Sequence, residues 1–148
     1  MTLFNSMDIT SSGMDAHAAR VRIAATNVAN MATPNFKRQI PILVQQGQQP
    51  FEQVMQQIRQ GNTQALKQQS VEGVSLLGVV EDPSLGKKLY QPEHPQADAE
   101  GYITLSNSNP LADMADAMMA NRMYEANLSM FSILRTMANK AIDAGSGR

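Results

Sequence analysis

The chain contains no cysteine and no tryptophan, and it is poor in aromatic side chains. Its 148 residues include no Cys and no Trp, and aromatic residues make up 5% of them. The absence of cysteine excludes disulfide bonds and thiolate metal sites, and it fits either side of a membrane. Because large aromatic anchors are scarce, any core must be built mainly from smaller side chains.

The chain also lacks a strong net charge and a long apolar run. Its formal net charge is −1, so electrostatics give no reason to expect nucleic acid as a partner. No stretch reaches the ~20 consecutive apolar residues of a transmembrane helix, so we expect the chain not to span a membrane. Its first residues show no basic stretch followed by an apolar one, so no cleaved secretory signal is expected.

Motifs of catalysis are missing as well. The sequence has no P-loop, GxSxG or HExxH pattern, and its two histidines are His17 and His94. His17 follows Asp15 on a predicted helix at a spacing that does not converge two ligands, so we interpret it as a polar-face residue. A metal or general-base role for His94 would need Glu93 and Asp98 to converge on it, and a structural loop role is the favoured interpretation. We therefore expect no catalytic residue, no cofactor and no metal.

What the chain does have is helical periodicity at its N-terminus. Apolar side chains recur there at alternating steps of three and four, which places them on one helix face. This stripe comprises Phe4, Met7, Ser11, Met14, Ala18, Val21, Ala25 and Val28. A narrow seam of this kind is built to lie against another helix. Pro34 disfavours helix at the residue before it, which predicts a helix from about Leu3 to Asn30.

A second long helix is predicted at the C-terminus. Asn109 suits the N-cap and Pro110 the first helical position, and Gly145 is a suitable end. The apolar stripe of this helix comprises Met123, Tyr124, Asn127, Met130, Phe131, Leu134, Met137, Ala138, Ala141 and Ile142. Asn127 is its polar exception. Either it hydrogen-bonds a neighbouring helix or turn, or it sets the register as a buried Asn does in coiled coils, and we favour the second interpretation.

The middle of the chain is unlike its ends. Short strands are predicted within residues 36–44, 74–80, 88–90 and 102–105. The glutamine-rich segment 45–69 has the composition of a polar loop, with one short amphipathic helix around Phe51–Ile58. The predicted fold class is mainly α, with the long terminal helices packed as a coiled-coil-like pair and a small irregular β-containing middle domain. Its domains are a discontinuous helical domain of residues 1–35 and 108–148, and a middle domain of residues 36–107.

The narrow seams predict an assembly part rather than an enzyme. Their side chains are small or medium-sized, and methionine, which tolerates imperfect fit, occurs 11 times. We therefore expect the ends of an isolated monomer to fray until neighbouring subunits cover them.

Short signatures in the chain resemble those of bacterial flagellar rod and hook proteins. The segment Asn27-Val-Ala-Asn30, followed by Thr33-Pro34-Asn35-Phe36, resembles the N-terminal signature of this family, and Tyr124-Glu125-Ala126-Asn127 resembles its C-terminal one. In the middle, residues 89–103 (LYQPEHPQADAEGYI) resemble a segment typical of proximal rod members. The residues of that pattern are His94, Pro95, Asp98, Gly101 and Tyr102. Residues 106–110 and 113–114 depart from the family pattern.

The resemblance implies a structural subunit of the basal-body rod, exported through the flagellar type III apparatus without signal cleavage and assembled in the periplasm. Its implied partners are further copies of itself, other proximal and distal rod subunits, the adaptor between rod and MS ring, and the export apparatus. The residues expected to carry assembly and packing are Phe4, Met7, Met14, Val21, Val28, Asn27, Asn30, Thr33, Pro34, Tyr124, Asn127, Phe131 and Leu134.

Three alternatives stay open at this point. The chain could be another axial component, although the segment from Tyr90 to Tyr102 argues against it. It could be a helical export adaptor or binding module, which would form a stable helical dimer. It could also be a small enzyme, which would require His94, Glu93 and Asp98 to surround a metal in a cleft.

Overall fold

The computed structural model describes residues 3–46, 59 and 73–145. The described part of the chain contains two long helices and four short strands. In chain order these are α1 (Leu3–Ala29), β1 (Gln39–Gln45), β2 (Val74–Glu81), β3 (Lys88–Tyr90), β4 (Tyr102–Thr104) and α2 (Pro110–Gly145). The predicted short helix around 51–58, and nearly all of the glutamine-rich segment, lie outside the described residues. No helix in the described part is both long and apolar enough to cross a bilayer.

The ends of both long helices follow from local chemistry. At the end of α1, the backbone N–H of Asn30 donates to the carbonyl of Thr26 at 3.1 Å, and its side-chain Nδ2 donates to the same oxygen at 2.9 Å. At the start of α2, the side-chain oxygen of Asn109 accepts a hydrogen bond from the backbone N–H of Ala112 at 3.3 Å. This confirms Asn109 as the N-cap and Pro110 as the first helical residue.

The two helices pack against each other as an antiparallel pair, which confirms the predicted architecture. Gly13 in α1 lies against Asn127 in α2, and Asn27 near the end of α1 meets Asp113 near the start of α2. The buried residues of α1 are Thr10, Ala16, Ala19, Ile23, Ala24 and Asn27. The α2 residues that are buried or half-buried at alternating steps of three and four, called the inner seam here, are Asp113, Ala117, Ala120, Tyr124, Asn127, Phe131, Leu134 and Ala138.

The apolar stripe selected from the α1 sequence is not the face that α2 covers. Phe4 is 67% exposed, Ala18 and Ala25 are also exposed, and the other members are half-buried. The buried residues of α1 are instead mostly small or polar, with Ile23 as the exception. Hydrophobic periodicity finds the most apolar stripe, whereas two helices approach closely where side chains are small, which is a different criterion. The role of that stripe in assembly stays a prediction.

The strands form two small antiparallel sheets beside the helix pair. In the first, β1 pairs with β2 from Gln39 opposite Glu81 to Gln45 opposite Val74, with a bulge at Ile42/Leu43. Each strand of a two-stranded sheet has a free edge, which is where Pro41 is tolerated. The second sheet pairs β3 with β4. Strand β1 begins three residues later than the predicted 36–44 because residues 36–38 belong to the turn and junction that follow α1.

The first sheet is attached to α1 through Gly73 and Val74. The backbone N–H of Val74 donates to the Ser12 hydroxyl at 3.1 Å. Gly73 has a φ of 105°, and a Cβ atom at this position would collide with the Ser12 side chain. Only glycine therefore lets the chain enter β2 this close to the helix.

Candidate assembly site

The side chain of Asn27 joins α1 to the first sheet. Asn27 is 1% exposed, and its Oδ1 accepts a hydrogen bond from the backbone N–H of Gln39 at 2.8 Å. Its Nδ2 donates to the Gln39 carbonyl at 2.9 Å. The amide group therefore satisfies both backbone groups of Gln39, as a neighbouring strand would. This gives a physical role to the first asparagine of the N-terminal signature.

An ion pair between Arg38, the residue before β1, and the buried Asp113 of α2 lies next to Asn27. The Nε and Nη2 atoms of Arg38 both lie 2.8 Å from Oδ1 of Asp113, a carboxylate that is 1% exposed. Nδ2 of Asn27 lies 3.5 Å from the same oxygen. The hydrogen bond to Asp113 raises the pKa of Arg38. Oδ2 of Asp113 is buried and has no hydrogen-bond partner among the described residues.

Weaker contacts extend this charge cluster along α2. Asp116 lies 3.6 Å from Nη2 of Arg20 and 3.9 Å from Nη2 of Arg38, and its side chain is 55% exposed. Exposed pairs of this kind contribute about 0–1 kcal/mol each. The electrostatic stabilisation around Arg38 therefore comes mainly from its pair with Asp113.

Asn107 ties the start of β1 to the end of β2. Its Oδ1 accepts from the backbone N–H of Arg38 at 2.7 Å. Its Nδ2 donates to the carbonyl oxygens of Asp82 and Ser84, at 3.2 and 2.9 Å. Together with Asn27 and Asp113, this side chain fixes the point where α1, β1, β2 and α2 meet, which we call the junction.

The remaining residues of the N-terminal signature shape the turn after α1. The Thr33 hydroxyl donates to Oδ1 of Asn30 at 3.2 Å, and the backbone N–H of Thr33 donates to the Asn30 carbonyl at 3.0 Å. Pro34 is half-buried. Asn35 has a left-handed backbone with φ of 60°, and its N–H donates to the Thr104 carbonyl at 2.9 Å. The turn therefore leads the chain from α1 past β4 into the junction.

Gly13, a glycine inside α1, lies opposite Asn127, the polar residue in the apolar stripe of α2. A Cβ atom on Gly13 would lie 2.7 Å from Nδ2 of Asn127, closer than such atoms approach. Glycine in α1 thus makes room for the amide in the inner seam. This contact does not test the register-setting role predicted for Asn127, which stays a prediction.

This contact predicts opposite effects of one substitution in two backgrounds. In the natural chain, Gly13→Ala is expected to lower the free energy of unfolding by about 1 kcal/mol because the Asn127 amide must move. In an Asn127→Ala background the same substitution is expected to raise it by up to about 1 kcal/mol through helix propensity. Urea unfolding followed by circular dichroism measures both values. An equal effect in the two backgrounds would contradict the packing described.

The middle signature forms a loop that is fixed by its own side chains. Oδ1 of Asp98 accepts from the backbone N–H groups of Glu100 and Tyr102, at 3.0 and 2.8 Å. Gly101 has a φ of 82°, and a Cβ atom there would lie 2.9 Å from the Tyr90 ring. The Tyr90 and Tyr102 rings meet edge to face with centroids 5.2 Å apart. Asp98, Gly101 and Tyr102 therefore hold the loop shape.

His94 also takes part in this loop. Its Nδ1 accepts from the backbone N–H of Gln96 at 3.1 Å, and its carbonyl accepts from the N–H of Ala97 at 2.9 Å. The open cavity beside it has a volume of about 480 Å³ and is lined by Tyr90–Pro95. In the described ranges, no three His, Asp or Glu side chains come together as a metal site would require.

His17 lies partly buried on α1, and its Nδ1 is buried without a hydrogen-bond partner among the residues described. Burial, and to a smaller extent the neighbouring Arg20, lowers the pKa of His17 below 6.5. The folded protein therefore favours neutral His17, whereas the unfolded chain binds a proton as the pH falls through about 6.5. The sequence predicts a polar-face residue, and the structure adds that this side chain is half-buried.

The pKa of His17 predicts that its contribution to stability declines on acidification. Because the unfolded state binds more protons, the free energy of unfolding should fall between pH 7.5 and 5.5. In the His17→Gln variant this fall should be smaller, and the difference between the two proteins isolates His17 from other titrating groups. Thermal unfolding at several pH values measures it. Parallel pH profiles for the two proteins would contradict the assignment.

Two apolar stripes lie on the outside of the helix pair and are only partly covered. The outer α1 stripe is the one selected from the sequence, from Phe4 to Val28; Phe4, Ala18 and Ala25 are exposed, and its other members are half-buried. The outer α2 stripe comprises Met119, Met123, Ala126, Met130, Ile133 and Met137. Its five larger side chains are between 48% and 56% exposed. Five members of the predicted C-terminal pattern lie instead on the inner seam: Tyr124, Asn127, Phe131, Leu134 and Ala138.

Comparison with known proteins places both helices in one group. Residues 7–37 match a family described as flagella basal body rod protein, and residues 99–144 match the C-terminal family of the flagellar basal body rod FlgEFG proteins. The flagellar basal-body rod protein FlgC of Aquifex aeolicus is 34% identical, over 97% of this chain and 98% of its own length. The FlgC proteins of Bacillus subtilis and Salmonella typhimurium are 29% and 30% identical, each over 98% of this chain and 99% of its own length.

Proposed function

Because the chain belongs to the FlgC family of flagellar basal-body rod proteins, and is a structural subunit of the basal-body rod, we propose that it occupies the proximal part of that rod. The loop whose sequence resembles that of proximal rod members supports this position. Its shape is fixed by Asp98, Gly101 and Tyr102. On this proposal the assembled subunit lies in the periplasm and reaches it without a cleaved signal.

The observation that carries the proposal is the presence of the outer α1 stripe and the outer α2 stripe on the surface of the helix pair. A folded monomer that leaves the outer α2 stripe about half exposed and the outer α1 stripe partly exposed has surface suited to neighbouring helices. The proposed neighbours are further copies of the chain, other proximal and distal rod subunits, and the adaptor to the MS ring. The export apparatus would be an earlier and transient partner.

The role we propose is mechanical rather than catalytic. Interlocked helices in a tube wall would carry torque from the motor towards the hook. In this role the junction keeps the helix pair and the sheet in a fixed relation within each copy, through Asn27, Arg38 and Asp113. The outer stripes would then connect one copy to the next.

Immunogold electron microscopy of purified basal bodies tests the proposed position. An antibody against this chain should place gold at the end of the rod next to the membrane ring. An antibody against a distal rod subunit serves as the matched control and should label further out. Gold from this chain on the distal rod or hook, or its absence from basal bodies, would contradict the proposal.

A further inference from the structure

We propose that the outer α1 stripe of one copy packs antiparallel on the outer α2 stripe of a second copy of this chain. The inference rests on the proposed function, because it assigns the contact between neighbouring copies to particular faces of the helices. Its starting point is that α2 has two apolar seams with the same three-and-four spacing. One is covered within the chain, and the other is about half exposed along Met119–Met137.

The outer stripes stand in a fixed relation to the covered faces. Each member of the outer α2 stripe immediately precedes a member of the inner seam, as Ala126 precedes Asn127. Members of the outer α1 stripe immediately follow residues on the inner side of α1, as Met14 follows Gly13 and Val28 follows Asn27. One residue is a rotation of about 100° around a helix. The outer stripe is therefore rotated one residue forward from the covered face on α1 and one residue back from it on α2. Because the two helices are antiparallel, these rotations place the outer stripes on opposite sides of the pair.

Two complementary surfaces on opposite sides of one molecule cannot satisfy each other within a single copy. They join different copies head to tail, and such heterologous contacts build rings or open filaments. If neighbouring copies point the same way along an assembly, α1 of one copy lies antiparallel to α2 of the next. This is because the two helices are already antiparallel within each copy.

The spacing of the two stripes specifies how they align. When α1 is read from its N-terminus and α2 from its C-terminus, the two outer stripes alternate steps of three and four residues in the same order. The covered faces of the two helices do the same. Aligned in this way, the layers pair Met7 with Met130, Ser11 with Ala126, Met14 with Met123, and Ala18 with Met119. The contact between copies would thus continue the helix packing already present inside each copy, with methionines adapting to imperfect fit.

The size of this contact explains why it would act in an assembly more than in solution. Specific, stable interfaces bury at least about 1,200 Å² in total. The proposed contact is a single helix-to-helix seam of five layers, from Phe4 with Ile133 to Ala18 with Met119, and we expect it to bury no more than that. Each copy inside an array makes the contact twice, once with each stripe. An isolated pair would therefore associate weakly, while an array would be held on both sides of every copy.

Disulfide trapping tests the alignment, and the absence of cysteine from the chain makes the result easy to read. The double variant Ser11→Cys/Ala126→Cys places small side chains at one proposed layer. The matched control is Ser11→Cys/Ala115→Cys, because Ala115 is also exposed but lies about 16 Å from Ala126 along α2. Each double variant and each single variant replaces the natural chain in flagellated cells, and basal bodies are purified after mild oxidation.

The expected result is a ladder of disulfide-linked multimers in Ser11→Cys/Ala126→Cys alone. Links in a single variant, equal links in the control, or no ladder from basal bodies that contain the double variant would overturn the proposed contact. If basal bodies contain the double variant but show no ladder, the chain is still in the rod, so the proposed function stands. If neither the natural chain nor the variants are found in basal bodies, the proposed function fails as well.

Discussion

Replacing Arg38 with methionine is expected to lower the free energy of unfolding by about 3 kcal/mol, near the lower end of the range for a broken buried pair. The reason is that Asp113, which is 1% exposed, would remain as a buried carboxylate without its cation. The lower end applies because the Arg38 side chain is itself 24% exposed, so solvent already screens part of the interaction. Urea unfolding of the purified protein, followed by circular dichroism, measures the change.

Two further variants separate the buried pair from general effects of charge. Asp116→Asn removes a carboxylate that is 55% exposed and lies 3.9 Å from Arg38, and it should change stability by less than about 1 kcal/mol. The double variant Arg38→Met/Asp113→Leu should recover much of the loss, because both charges leave the interior together. A loss no larger than that of Asp116→Asn would show that Arg38 and Asp113 do not form a buried pair.

The second large effect is expected at Asn27. Asn27→Ala should lower the free energy of unfolding by about 2–4 kcal/mol, because it leaves the N–H and C=O groups of Gln39 without their partners. The same unfolding experiment measures it. Amide hydrogen exchange at Gln39 should also become faster, since its N–H loses its acceptor.

Asn30 provides a matched control for this prediction. It is the second asparagine of the same signature and lies one turn further along, but its side chain bonds only to Thr26 and Thr33 in the described contacts. These bonds lie nearer the surface, so Asn30→Ala should cost less than about 1 kcal/mol. Similar losses for Asn27→Ala and Asn30→Ala would mean that the bonds to Gln39 contribute little to stability.

The helices and their ends could be predicted from local sequence. Pro34 and the Asn109-Pro110 pair act through bonds within a few residues, so their effect is readable without knowing the fold. The predicted α2 stripe is wider than the inner seam, because it also includes Met123, Met130 and Met137, which are exposed. The middle signature could be identified as a sequence pattern. The hydrogen bonds of Asp98 and the contact between the Tyr90 and Tyr102 rings give that pattern a structural reason.

The junction could not be predicted, because its partners are far apart in the chain. Arg38 and Asp113 are separated by 75 residues, and Asn107 reaches Arg38 across 69. The one signal was that residues 106–110 and 113–114 depart from the family pattern, yet a departure does not specify a partner. A glycine inside α1, Gly13, and a polar exception in the α2 stripe, Asn127, are each visible in the sequence. Their contact depends on the antiparallel alignment, which no local pattern determines.

The most direct test of the account compares the outer stripes with a part of the helix surface that belongs to neither stripe. Ala18→Glu and Met130→Glu each place a charge on an exposed stripe, and Ser132→Glu places one on a surface of α2 that belongs to neither. The measurement is the amount of each variant in purified basal bodies, with the unfolding midpoint of the soluble protein as the check on folding. The account predicts unchanged midpoints for all three, with Ala18→Glu and Met130→Glu lost from basal bodies and Ser132→Glu retained. Normal incorporation of both stripe variants would contradict assembly through these faces.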